Sequence, residues 1–131
     1  FFDLHTEEEL MQDKSFIKDA PKLLKKAAQT NRFRDVILSD YVDMVDETLE
    51  KQFGAFHIKL SPQCTYVAFR GTDDTLVGWK EDFNMSFISP VPSQEDAVKY
   101  LDDTCSYIRG KLYVGGHSKG GNLAIYSAIQ L

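Results

Sequence analysis

Lys111-Leu112-Tyr113-Val114-Gly115-Gly116-His117-Ser118-Lys119-Gly120-Gly121-Asn122-Leu123-Ala124 is the stretch that decides the fold of this 131-residue chain. It opens as a short apolar strand, turns through glycines and continues as an apolar helix over residues 122–131. Leu123, Ala124, Ile125, Ala128 and Ile129 nearly surround that helix,. At the turn stands Gly-x-Ser-x-Gly. A serine hydroxyl is a poor nucleophile until it is presented to a base and a substrate together. A sharp strand-to-helix turn does this by lifting the serine above the sheet. Gly116 and Gly120 remove side chains that would clash where strand and helix converge, and Gly121 helps pack the helix on the sheet. Ser118 is therefore the candidate nucleophile. The Lys119 N–H, at the positive end of the helix, is the expected first oxyanion donor. The other meaning of such a turn is a tight glycine corner or an anion-binding helix start. A phosphate loop aligned on Gly115 would need Lys where Gly121 stands, so that motif is excluded.

Upstream, Ser93-Gln94-Glu95 opens a helix that runs to about Arg109 and is ended by Gly110,. Ala97, Val98, Leu101, Cys105 and Ile108 form its apolar stripe. Residues 65–70 are a mostly apolar strand and residues 55–60 an alternating one. The turn Ser61-Pro62-Gln63 makes the two an antiparallel hairpin. Strand, helix, strand is a right-handed βαβ unit, so residues 65–70 and 112–114 should lie parallel with their C-terminal ends together. Ligands bind at that end of open α/β sheets. Residues 71–92 read as a long irregular loop with a helical turn near Trp79, and loops of that length carry function when ordered.

The first third is helical in pattern. Thr6 and Glu9 fit a capping box, and Asp19-Ala20-Pro21 starts a second helix striped by Leu23, Leu24, Ala27 and Ala28. Residues 35–50 fit both a strand, through Val36, Leu38, Val42 and Met44, and a helix, through Leu38, Tyr41, Val42, Val45 and Leu49. A strand over residues 35–45 is preferred. Asp35, Asp40, Asp43, Asp46, Glu47 and Glu50 miss the calcium-loop spacing and read as a solvated face. Two domains follow: an N-terminal helical segment, 1–34, and an α/β segment, 35–131.

With 43% hydrophobic and 27% charged residues the chain can bury a core,. The net charge of −5 argues against nucleic acid,. The densest basic cluster, Lys22, Lys25 and Lys26, is a solvated helix face. Cys64 and Cys105 fit no metal spacing and are expected as buried free thiols in a reducing, cytoplasmic setting. No cofactor or metal is expected, and no apolar run is long enough to span a membrane. The chain opens Phe1-Phe2-Asp3-Leu4 rather than with Met, which points to a start inside a longer gene product.

Val67-Ala68-Phe69-Arg70-Gly71-Thr72, then Trp79, then residues 116–124 resemble the class-three lipases. More closely they resemble a bacterial branch of lipase-like α/β hydrolases. The resemblance covers residues 55–131. It implies an α/β-hydrolase fold, here partial and cut at both ends. It also implies hydrolysis of a small-molecule ester or acyl substrate through an acyl-Ser118 intermediate. The family strand ending Phe-Arg-Gly-Ser/Thr carries the second oxyanion donor, which falls on Thr72. Trp79 matches a lid-region tryptophan that would contact substrate. Without the resemblance, residues 70–72 are only a turn and Trp79 a core aromatic. No stripe of lipid-binding residues is evident.

Triad order in this fold is Ser, then acid, then His, and no acid or histidine follows Ser118. The catalytic Asp and His are therefore expected beyond residue 131. His117 points away from its neighbour's hydroxyl on a tight turn, His57 sits mid-strand, and His5 lies near the N-terminus. Asp73 and Asp74 are turn residues or caps. The alternative is a non-catalytic interaction module that uses an open sheet edge at residues 112–114, with homo-oligomers formed through it.

Overall fold

The computed structural model describes residues 6, 8, 9 and 19–131, so the expectation for His5 lies outside the described residues. The chain divides into two compact units, Phe1–Val36 and Ile37–Leu131. In the first, Thr6 and Glu9 form the reciprocal pair expected of a capping box. The Thr6 N–H donates to Glu9 Oε2 at 2.8 Å, and the Glu9 N–H to Thr6 Oγ1 at 3.2 Å. Helix α1, Ala20–Ala28, has proline in its first turn and no buried residue. Leu23 and Leu24 of its expected apolar stripe are 70% and 45% exposed.

The second unit is a four-stranded sheet in the order β1-β2-β3-β4, with helices between and after the later strands. Strands β1, Ile37–Asp46, and β2, Lys51–Ser61, pair antiparallel, as do β2 and β3, Cys64–Phe69. The strand reading of residues 35–45 holds. It is interrupted by a register shift between Ser39 and Val42, where Asp40 takes a positive φ of 54°,. Strand β4, Lys111–Gly116, runs parallel to β3 in the register Thr65↔Leu112 through Phe69↔Gly116. The C-terminal ends of these two strands therefore coincide.

Alternation in β2 and β3 sends Phe53, Ala55, Val67 and Phe69 to one face,. Two helices cover it: α3, Pro92–Cys105, through Ala97, Tyr100 and Leu101, and α4, Lys119–Gln130, through Leu123 and Ala124. Phe53, Phe69 and Tyr100 pack with ring centroids 6.0–6.1 Å apart, within the usual range for aromatic pairs.

Four expectations need correction. The stretch 71–92 is more ordered than an irregular loop with one helical turn near Trp79. It contains helix α2, Leu76–Asn84, started by Thr75, whose hydroxyl accepts from the Gly78 N–H at 3.1 Å,. Helix α3 ends at Cys105 rather than Arg109. Thr104 and Ser106 turn their hydroxyls back on the carbonyls of Leu101 and Asp103, and Tyr107 is drawn across to Asp40, so the chain leaves the helix line,. Gly110, at φ 89°, serves the turn into β4 instead,. Cys105 is exposed and Cys64 half-buried, both free, because α3 turns Tyr100, Leu101 and Thr104 to the core in place of Cys105. Finally, Asp40 and Asp43 are not merely solvated. Asp40 pairs with His57 Nδ1 at 3.1 Å, and Asp43 accepts the Arg70 guanidinium at 3.0 Å.

Among the described residues no helix is long and apolar enough to cross a membrane.

Candidate active site

β4 delivers the chain to Ser118 and α4 takes it away. Ser118 is the residue before the helix, with φ 55° and ψ −123°. An L-residue reaches that region only at a cost of roughly 1–3 kcal/mol, and only where the surroundings impose it. They do so here. The Ser118 carbonyl accepts from the N–H groups of Gly121 at 2.9 Å and Asn122 at 3.2 Å, and the His117 carbonyl from Gly120 at 3.0 Å. The helix thus begins at once, three residues earlier than residue 122. The Ser118 side chain is exposed.

The glycines are there for close approach. A Cβ on Gly120 would lie 2.2 Å from the Phe69 carbonyl oxygen, and one on Gly116 would lie 2.5 Å from both Phe69 O and the Gly120 carbonyl carbon. Gly121 is less tightly held, its nearest atom being the Gly116 carbonyl oxygen at 3.1 Å.

The β3 end abuts the same turn. A Cβ on Gly71 would be 2.7 Å from His117 O and 3.8 Å from Ser118 Cβ, so Thr72 follows a residue packed directly against the elbow. The Thr72 hydroxyl donates to Asp82 Oδ2 on α2. Asp73 is a buried turn residue whose Oδ1 accepts from the Thr75 N–H at 3.0 Å and from its hydroxyl. Asp74 is exposed. Arg70 Nη1 grips Asp43 and Nη2 stands 3.6 Å from Asp73, tying this corner to β1.

The Lys119 N–H lies in the first turn of α4, where backbone donors lack intrahelical acceptors. The Lys119 side chain does not follow it toward solvent. It is buried, and Nζ donates to Gln52 O at 2.6 Å, Gln52 Oε1 at 2.7 Å and Glu81 Oε2 at 2.9 Å. Glu81, Gln52 and Asp82 were invisible in the sequence pattern. The available signal was a lysine at the head of an otherwise apolar helix.

Trp79 is 56% exposed on α2, not a core aromatic, and shares an outward face with Leu76 at 73% and Phe83 at 67%. Phe87 continues that face, its ring 5.1 Å from Phe83. An exposed apolar face is thus present on α2, the helix that extends the turn expected near Trp79.

Of the histidines, His117 is exposed. His57 is buried in the core beneath Tyr100 and Tyr107, with ring centroids 5.5 and 6.3 Å away. Burial holds its pKa below the ordinary 6.5 against the opposing pull of Asp40,. Among the described residues no side chain hydrogen-bonds the Ser118 hydroxyl, and no three His, Cys, Asp or Glu gather as a metal site.

The family model described as Mbeg1-like matches residues 27–131. No curated protein and no solved structure matches the chain.

Proposed function

The chain belongs to the Mbeg1-like family, and we propose that it acts as a serine hydrolase of the lipase-like α/β-hydrolase type on a small ester or thioester. The observation that carries this reading is Ser118 itself. It is an exposed serine held at φ 55° between the end of a parallel strand and the start of a helix. A structural turn would place glycine at such an angle. A strained serine there is what nucleophile presentation demands.

In this reading the Ser118 oxygen attacks the substrate carbonyl carbon as its proton passes to a histidine base. The reading requires that base and an aspartate to orient it. The Lys119 and Thr72 N–H groups receive the oxyanion. Collapse expels the alkoxide or thiolate, which takes the proton from the histidine. Water then cleaves acyl-Ser118, releasing the acid and restoring the hydroxyl. Trp79 and its apolar neighbours would meet the acyl portion. The two free thiols are in keeping with a reducing compartment such as the cytoplasm.

A fluorophosphonate probe with intact-mass detection tests the reading on the full-length protein. One adduct is expected, absent in Ser118→Ala. Ester hydrolysis undiminished by Ser118→Ala would refute it.

A second reading has one observation in its favour: β4 lies at an edge of the sheet among the described residues,. The chain would then be a non-catalytic module that pairs through that edge. Self-association without any probe adduct would favour it.

A further inference from the structure

The most heavily engaged buried group in the second unit is the Lys119–Glu81 ion pair. The two side chains are 1% and 0% exposed. All three ammonium donors are taken, two by Gln52 and one by Glu81. Glu81 is equally engaged. Its Oε2 also accepts the Gln52 N–H at 3.0 Å, and its Oε1 accepts the Ser93 N–H at 2.9 Å in the first turn of α3. One carboxylate therefore joins β2, α2, α3 and α4.

Stability alone does not explain such a pair. Desolvating two charges costs several kcal/mol, and well-packed apolar residues of similar volume often do as well or better. Its place in the fold does explain it. Lys119 is the residue whose backbone N–H must aim at the developing oxyanion, and its own side chain is tethered to α2. The next residue of α2, Asp82, accepts from the Thr72 hydroxyl, and Thr72 carries the other oxyanion donor. Gly78, one turn earlier, lets α2 press against this corner. A Cβ there would stand 3.0 Å from Thr72 Cγ2 and 2.9 Å from Asp73 Oδ1.

We infer that α2 is a bracket for the oxyanion hole, with Glu81 and Lys119 as positioning residues that fix the Lys119 N–H relative to Thr72. The inference rests on the hydrolase reading above. Neither side chain touches substrate. Their effect is transmitted through the backbone of residue 119, where a misplacement on the order of 1 Å can lower a rate about 100-fold.

The test uses the full-length protein and compares wild type, Ser118→Ala, Lys119→Met, Glu81→Gln and Leu101→Ala. Leu101→Ala destabilises the core of α3 without touching the pair. Each variant is assayed below its own Tm for fluorophosphonate labelling rate, and for kcat and KM with p-nitrophenyl butyrate. Lys119→Met and Glu81→Gln are expected to lose about 10–100-fold in labelling and in kcat with KM unchanged. Leu101→Ala should keep the wild-type rate at a comparable loss of Tm. Wild-type kcat in folded Lys119→Met or Glu81→Gln, or an equal loss in Leu101→Ala, overturns the inference. If both charge variants fail to fold, Gly78→Ala decides. It removes neither charge and presses α2 against Thr72 and Asp73, so kcat should fall, and an unchanged kcat overturns the inference. A wild type that neither labels nor differs from Ser118→Ala overturns the hydrolase reading and this inference with it. A labelled wild type with unaffected variants removes only the inference.

Discussion

Ser118 carries two separable properties, a hydroxyl and a backbone angle, and substitution can separate them. Alanine removes the hydroxyl and keeps the Cβ that opposes φ 55°. Glycine removes both. Ser118→Gly should therefore unfold at a higher temperature than Ser118→Ala, by about 1–2 kcal/mol of relieved strain less the extra chain entropy of glycine. Both variants should be equally unreactive to the probe. Thermal unfolding followed by circular dichroism measures the difference, and equal Tm values would mean the angle is not strained. At this scale the sequence was most readable, because Gly116, Ser118 and Gly120 are each required by local geometry. Lys119 was readable by half. Its N–H follows from its place after the serine, whereas its side chain answers to Glu81, which lies 38 positions away. Glu81 sits in the run Lys80-Glu81-Asp82, where three charges in a row look like solvent-facing surface.

Among the elements, β2, β3 and β4 announce themselves by alternation and apolar content, and their parallel or antiparallel senses follow from the lengths of the connections. Helix α2 does not. Leu76, Trp79 and Phe83 have helical spacing but face outward, while the buried positions are Gly78 and Glu81. A helix that hides a glycine and a carboxylate and shows its aromatics inverts the pattern by which helices are recognised. The bulge in β1 is similarly opaque, since Asp40, besides accepting from the neighbouring Ser39 hydroxyl, is held by partners far away in the chain. Tyr100 donates to its carbonyl at 2.7 Å and Tyr107 to its Oδ1 at 2.8 Å, and His57 pairs with Oδ2.

That cluster makes the junction of β1, β2 and α3 sensitive to acid. Neutral His57 with its proton on Nδ1 satisfies Asp40. A second proton would place an N–H on buried Nε2, which has no acceptor among the described residues. Because the folded pKa lies below the unfolded 6.5, the unfolded chain binds the proton first. The stability owed to neutral His57 is then complete above pH 6.5 and declines as pH falls below it. Chemical denaturation at stepped pH should show the midpoint falling over that range in wild type, and a flatter profile in His57→Gln. Identical slopes would remove His57 as the cause.

For the molecule as a whole, the four elements that meet at Glu81 are drawn from distant parts of the chain. Lys119 reaches Gln52 across 67 positions, and Ser93 reaches Glu81 across 12. Contacts of that separation close only after much of the chain has been ordered. Two charges, moreover, gain nothing from meeting until water has been expelled around them. The pair should therefore be absent from the folding transition state. Lys119→Met should leave the refolding rate nearly unchanged and accelerate unfolding, which stopped-flow chevrons would resolve. A slowed refolding limb would instead place the pair in the nucleus. An interaction made last on the way in is the first barrier on the way out. The buried lysine beside the reactive serine would then govern not only where the site points but how long each molecule stays folded before it opens.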